Sequence, residues 1–153
     1  MAQDQFIGYA LNTLDGKNRL SVPASYREVV QARSGEKSIL VGPHQYEPCL
    51  IAYDRTHTVR IQAEIERRFG DDFGPERERF ARRAFGTVEQ FAFDENGRII
   101  VSATLKELAE LEGQAFFLGV GENFEIWNPA RLLEARADDR MLCRIVETQL
   151  RRK

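Results

Sequence analysis

The stretch Asp15-Gly-Lys-Asn-Arg-Leu-Ser-Val-Pro-Ala-Ser-Tyr-Arg-Glu28 returns 79 positions later as Asp94-Glu-Asn-Gly-Arg-Ile-Ile-Val-Ser-Ala-Thr-Leu-Lys-Glu107. The two align without a gap. Asp15 matches Asp94, Arg19 matches Arg98, Val22 matches Val101, Ala24 matches Ala103 and Glu28 matches Glu107. Ser25 becomes Thr104 and Arg27 becomes Lys106, so their chemistry is kept. The chain carries a duplicated module, and its chemistry is expected in what both copies retain.

Each copy opens on a turn. Asn18 and Gly97 are equivalent, and these are the residue types that best tolerate left-handed backbone. Asp15 and Asp94 stand where an aspartate can hydrogen-bond its own loop. The pattern predicts a tight hairpin shaped by Asp15, Asn18, Asp94 and Gly97. Arg19 and Arg98 leave the turns and begin short apolar strands, Leu20–Val22 and Ile99–Val101. A short helix follows in each copy. Pro23 suits a first helical turn, whereas Ser25-x-x-Glu28 and Thr104-x-x-Glu107 fit capping boxes, so the helix start stays open by two or three residues.

The rest of the chain falls into place around this unit. Phe6–Leu11 reads as a first strand and the first helix as ending near Gln31, before a polar loop at Arg33–Lys37. Ile39–Val41 and Cys49–Tyr53 read as strands around the breaker-rich Gly42–Pro48. Asp54 is a candidate cap for a helix whose Ile61, Ile65 and Phe69 mark a buried stripe. Gly70–Pro75 breaks the chain. Glu76–Phe85 is a short helix with Phe80, Ala81, Ala84 and Phe85 as its apolar stripe. Its four arginines, Arg77, Arg79, Arg82 and Arg83, are expected on a solvated face with local Glu–Arg pairs. In the second copy, Thr87–Phe93 is the strand before the turn and the following helix runs to about Leu111. Ala115–Val120 and Phe124–Trp127 mirror the two strands of the first half, with Tyr53-Asp54 matching Trp127-Asn128. Asn128-Pro129 starts a last helix running into the 140s, and the tail Arg151–Lys153 is expected to fray. Trp127 and Tyr53 are expected in the core. Each half is thus β–hairpin–β–α–β–β–α, and two such halves can bury their apolar faces against each other. The fold class is α+β, divided into modules at 1–74 and 75–153.

Composition bounds the function. The 153 residues are 42% apolar and 30% charged, as in a soluble globular protein. No apolar run approaches the ~20 residues of a membrane span, and Met1-Ala-Gln-Asp-Gln5 lacks a signal-peptide pattern. Two cysteines, Cys49 and Cys143, make no disulfide framework, so a cytoplasmic location is expected. The net charge of −2 excludes a uniformly basic coat but permits a basic face. His44, His57, Cys49 and Asp54 could be assembled on paper into a catalytic or metal set. No Cys-x-x-Cys or His-Glu-x-x-His spacing is present, and Gly119-x-Gly121 has no third glycine at Phe124. Neither a metal, a cofactor, a small-molecule ligand nor catalysis is expected.

The Asp-x-x-(Gly/Asn)-Arg-(Leu/Ile)-x-Val hairpin resembles the SpoVT/AbrB swapped-hairpin superfamily. The tandem pair resembles the MraZ family of bacterial transcriptional regulators. Further carriers of the likeness are Leu14–Pro23 followed by Tyr26-Arg-Glu28, the bridge Phe80-Ala-Arg-Arg-Ala-Phe-Gly86, and Gly119-Val-Gly121 before Glu125-Ile-Trp127. Asn18 stands where the family usually has glycine, and Ser102 where it usually has a second proline. The likeness implies two swapped-hairpin β-barrel modules forming an intrachain pseudo-dimer with peripheral helices. It implies a DNA-binding repressor of its own operon in the division and cell-wall cluster, at the nucleoid. The repressor would grip repeated elements in double-stranded promoter DNA as a ring-shaped homo-oligomer, an octamer or dodecamer. The family's DNA-contacting residue falls on Arg19, with Lys17 in the same loop and Arg98 as its second-copy counterpart. Arg27 is a weaker candidate, in keeping with a helix-surface charge. Without the likeness, Arg19 and Arg98 could equally be loop ion pairs to Asp15 and Asp94. A module acting through a protein partner, as swapped-hairpin antitoxins do, is the alternative.

Overall fold

The computed structural model describes residues 4–152. Residues 1–3 of the N-terminal stretch and Lys153 of the basic tail lie outside the described residues. The first half runs β1 (Tyr9–Thr13), β2 (Arg19–Ser21), α1 (Ala24–Ser34), β3 (Ser38–Pro43), β4 (Leu50–Tyr53) and α2 (His57–Phe69). A bridging helix follows, α3 (Pro75–Gly86). The second half runs β5 (Glu89–Ala92), β6 (Arg98–Ile100), α4 (Ala103–Leu108), β7 (Gln114–Gly119), β8 (Phe124–Trp127), α5 (Pro129–Ala135) and α6 (Arg140–Arg152).

Several boundaries differ from expectation, each for a local reason. Gly8 takes φ 95°, so β1 begins only at Tyr9 and Phe6 is left as a single bridge to Gly121. Helix α1 runs on to Ser34, where Gly35 closes it in the left-handed region with its N–H on the Gln31 carbonyl. Helix α4 stops at Leu108 because Glu110 turns to φ 52°. The last helix is two helices. Asp139 Oδ1 accepts the Leu142 amide at 3.1 Å and restarts the chain as α6 after the turn at 136–139. Arg151 and Arg152 continue that helix.

Neither capping box forms. Pro23 stands before α1 with no side-chain cap, and Ser102 caps α4 by accepting the Leu105 amide at 3.2 Å. Ser102, which stands where the family usually has proline, thus anchors the second helix start. Ser102→Ala should lower stability by about 1 kcal/mol, read as a shifted urea midpoint with unchanged slope. Asp54 likewise acts just before its helix, with Oδ2 accepting the Thr56 amide at 3.0 Å while α2 starts at His57.

Among the described residues the strands form one six-stranded sheet, ordered β1-β7-β8-β4-β3-β5, and one two-stranded ribbon, β2-β6. All pairings are antiparallel, and the two halves are interleaved in both. β1 of the first half pairs with β7 of the second, and β5 of the second pairs with β3 of the first. The register reveals the duplication as symmetry. Leu20 lies opposite its own equivalent, Ile99, and Ile51 lies opposite its equivalent, Glu125. One approximate two-fold axis thus passes through the centre of the ribbon and the centre of the sheet.

Alternation along the strands divides the core. Ala115 and Phe117, Phe124 and Ile126, and Leu50 and Ala52 join Leu20, Ile99, Val22, Val101, Tyr26 and Leu105 in one cluster between the sheet, the ribbon, α1 and α4. Phe116, Trp127 and Leu11 face the other way, onto Leu132 of α5 and Val146 of α6. Leu20 and Ile99 are 0% and 1% exposed, and each contributes about 1.5–3 kcal/mol by burial. Tyr53 and Trp127 are core residues, as expected. Helix α3 is peripheral, with no buried residue. Arg79 pairs with Glu76 at 2.7 Å, Arg77 lies over Phe73, and Arg83 donates to the His44 carbonyl.

Candidate nucleic-acid interface

The two hairpin turns close in the same way. Asp15 Oδ1 accepts the amides of Lys17 and Arg19, both at 2.9 Å, and Oδ2 accepts Arg19 Nε at 2.7 Å. Asp94 Oδ1 accepts the amides of Asn96 and Arg98 at 2.8 and 3.0 Å, and Oδ2 accepts Arg98 Nε at 3.0 Å. Asn18 and Gly97 take φ 62° and 76°, the left-handed positions that the sequence pattern requires. The Arg19 amide above all holds the Asp15 carboxyl below the usual carboxylate range, and the Arg98 amide does the same for Asp94. Both clasps therefore favour folding above the ordinary carboxylate pKa and lose that contribution as pH falls through the lowered one.

Each clasp engages only Nε, the inner nitrogen of its arginine. Among the described residues no protein acceptor holds the two outer nitrogens, and the side chains of Arg19 and Arg98 are 34% and 28% exposed. An aspartate on Nε also fixes the plane of the guanidinium, leaving its outer edge available for a bidentate contact.

The halves hold each other's turns. Lys106 Nζ donates to Asn18 Oδ1 at 3.0 Å, across 88 residues of sequence. Arg27 is its counterpart. Its Nε donates to the Val22 carbonyl at 3.1 Å, and its guanidinium covers Gly97 so closely that a Cβ there would lie 2.4 Å from Cζ. The Val22 amide bonds the Gly97 carbonyl and the Val101 amide bonds the Asn18 carbonyl, at 3.1 and 2.8 Å.

The ribbon then sets which way the arginines face. Leu20 and Ile99 point inward, so Arg19, Ser21, Arg98 and Ile100 share the opposite, outer face. Arg19 sits across from Ile100, and Arg98 across from Ser21. The arginines are diagonal neighbours, about 7–8 Å apart at the backbone. Lys17 lies exposed at the tip of the first turn. Thus Lys17, Arg19 and Arg98 occupy the turns and outer ribbon, while Arg27 lies behind them on α1.

The family described as "MraZ protein, putative antitoxin-like" matches residues 84–141. The transcriptional regulator MraZ of Gluconacetobacter diazotrophicus is 36% identical over 138 residues, covering 88% of this chain and 85% of that protein. The corresponding protein of Azorhizobium caulinodans is 35% identical over 145 residues, covering 92% and 90%. That of Rickettsia bellii is 36% identical over 118 residues, covering 77% of each. The chain belongs to the MraZ family of transcriptional regulators.

MraZ proteins are regulators and not enzymes. The two departures from the usual MraZ pattern are both accommodated. Asn18 adopts the glycine conformation and gains the Lys106 contact, and Ser102 serves as a helix cap. Three of the residues that could be imagined as catalytic, Cys49, His44 and Asp54, are buried or engaged elsewhere. Burial pushes the Cys49 thiol far up, away from reactive thiolate. His44 Nδ1 accepts the amides of Tyr46 and Glu47, and Asp54 pairs with Arg33. Among the described residues no group of three or more His, Cys, Asp or Glu could hold a metal. Among the described residues no helix is long and apolar enough to cross a membrane. A half-open apolar groove of about 500 Å³ lies between α2, α3 and β4, lined by Ile51, Tyr53, His57, Ile61, Phe80 and Ala84.

Sequence reasoning passed over Lys106 and Ile100. A signal for Lys106 existed, because the alignment keeps a cation at Arg27 and Lys106. None existed for Ile100, whose exposure follows from the ribbon register alone.

Proposed function

We propose that this protein is a sequence-specific DNA-binding regulator that represses its own operon in the division and cell-wall gene cluster. The proposed units are two SpoVT/AbrB-like swapped-hairpin modules, 1–74 and 75–153, joined as an intrachain pseudo-dimer with a barrel-like core. The observation that carries this reading is the pair of clasped arginines, Arg19 and Arg98, on one outer face of a two-stranded ribbon. A ribbon of this width fits the major groove, and an arginine with a free outer edge matches guanine O6 and N7. Lys17 supplies a phosphate contact that positions the ribbon without reading sequence. Arg27 acts as a support for the second turn and as a longer-range positive charge.

A single ribbon offers few contacts and binds weakly. In a ring-shaped homo-oligomer, an octamer or dodecamer, several ribbons meet successive promoter repeats, and effective concentration raises the affinity without new chemistry. The expected location is the cytoplasm, at the nucleoid.

Salt dependence tests this. Binding to a labelled duplex from upstream of the protein's own gene should weaken steeply with salt. The slope of log affinity against log salt should be about −0.9 per phosphate neutralised. A second reading, an oligomeric module acting through a protein partner, draws on the antitoxin-like family description and on the apolar groove beside α3. A wild-type protein that leaves the duplex unbound even at low salt would favour that reading.

A further inference from the structure

The approximate two-fold symmetry of the ribbon is broken at one place on its outer face. Arg19 and Arg98 are equivalents, and so are the inward Leu20 and Ile99. The third pair of equivalents is Ser21 and Ile100. Ser21 lies across from Arg98, and Ile100 lies across from Arg19. One arginine therefore has a hydroxyl beside it, and the other has a branched apolar side chain. Ile100 is 65% exposed, although Ile99 and Val101 on either side of it in the chain are buried, and it closes β6 directly across from Arg19. Directly opposed residues bring their Cβ atoms within about 4.5–5.5 Å, so Ile100 and Arg19 must meet adjoining parts of whatever covers the ribbon.

In the major groove an apolar side chain has one matching feature, the 5-methyl group of thymine. We propose that Ile100 is a specificity residue that packs on the 5-methyl of a thymine next to the base contacted by Arg19. Ser21 leaves the Arg98 side without this preference. This rests on the DNA-binding reading of the ribbon. It has a consequence for the operator. The two arginine contacts are related by approximate symmetry, but the bases beside them are not, so one ribbon reads a directional site.

The test replaces the thymines of the upstream duplex one at a time by deoxyuridine, which lacks only the methyl group. Wild type, Ile100→Ser and Ile100→Val are titrated against the series, and each is sized by light scattering. Wild type should lose about fourfold in affinity at one or two positions, the worth of one buried methyl. Ile100→Ser should be insensitive at those positions, with the same salt slope and the same oligomer mass. Ile100→Val should keep the sensitivity. The proposal is overturned if no deoxyuridine position weakens wild type, or if Ile100→Ser remains as sensitive as wild type. It is also overturned if Ile100→Ser changes the oligomer mass, because Ile100 would then be a subunit contact. A wild type that binds the unmodified duplex no better than a scrambled one brings down the DNA-binding reading itself, a result distinct from the others.

Discussion

Replacing Arg19 with alanine should abolish specific binding to the upstream duplex while leaving the oligomer intact. The loss should be at least about fivefold per ribbon, since a bidentate arginine–guanine contact discriminates by about 1–3 kcal/mol, and it multiplies when several ribbons engage together. Two effects add. The outer guanidinium edge is lost, and the Asp15 carboxylate loses its cation and faces the phosphates unneutralised. The turn itself should survive, because Asp15 keeps the amides of Lys17 and Arg19 and Asn18 keeps its left-handed conformation. Fluorescence anisotropy with wild type, Arg19→Ala and Arg98→Ala, together with light scattering, checks this. Unchanged binding by Arg19→Ala would reduce the residue to a loop ion pair. The search would then move to Arg77–Arg83 on α3 and to the basic end of α6.

Replacing Asp54 with alanine should cost about 3 kcal/mol of stability, without touching the ribbon. Asp54 is fully buried, and Arg33 Nε lies 2.9 Å from its Oδ1, a pairing of charges with the Arg33 side chain only 8% exposed. Removing the carboxylate leaves a buried guanidinium, and loss of one partner of a buried pair costs about 3–5 kcal/mol. The lower end applies because Arg33 retains Glu122, 3.6 Å from its Nη2, and lies over the Phe6 ring. The Thr56 hydroxyl and amide also lose their acceptor. For a chain of this length the melting temperature should fall by about 6–12 °C. Pairing Asp54→Leu with Arg33→Met should recover most of the loss, because well-packed apolar pairs often replace buried ion pairs without cost. Urea and thermal unfolding of the three variants separate these outcomes. A loss under about 1 kcal/mol for Asp54→Ala would show that Glu122 alone suffices for Arg33.

The elements differ in how far they could be read in advance. The turns were legible because the contacts that close each of them are short-range. Asp15 reaches only to Arg19, Asp94 only to Arg98, and the left-handed residue lies between. The capping boxes failed because two starts competed within three residues. In the first copy the Pro23 conformation prevailed, and in the second the Ser102 hydroxyl did. The single last helix failed because Asp139 provided a cap in the middle of an otherwise helical pattern.

By itself, the sequence determined the duplication, the two tight turns, the α+β class and the apolar face of each short strand. Each of these follows from residues a few positions apart or from direct comparison of the two copies. Only the tertiary structure decided that the halves interleave, that Lys106 holds the turn of Asn18, and that Arg33 lies buried on Asp54. It alone put Arg19, Arg98, Ser21 and Ile100 on one outward face. The physical reason is the burial of Leu20 against Ile99. Neither three-residue strand can shelter its apolar side chain alone, so the two pair across the chain, and that pairing turns four distant polar and apolar residues together toward solvent.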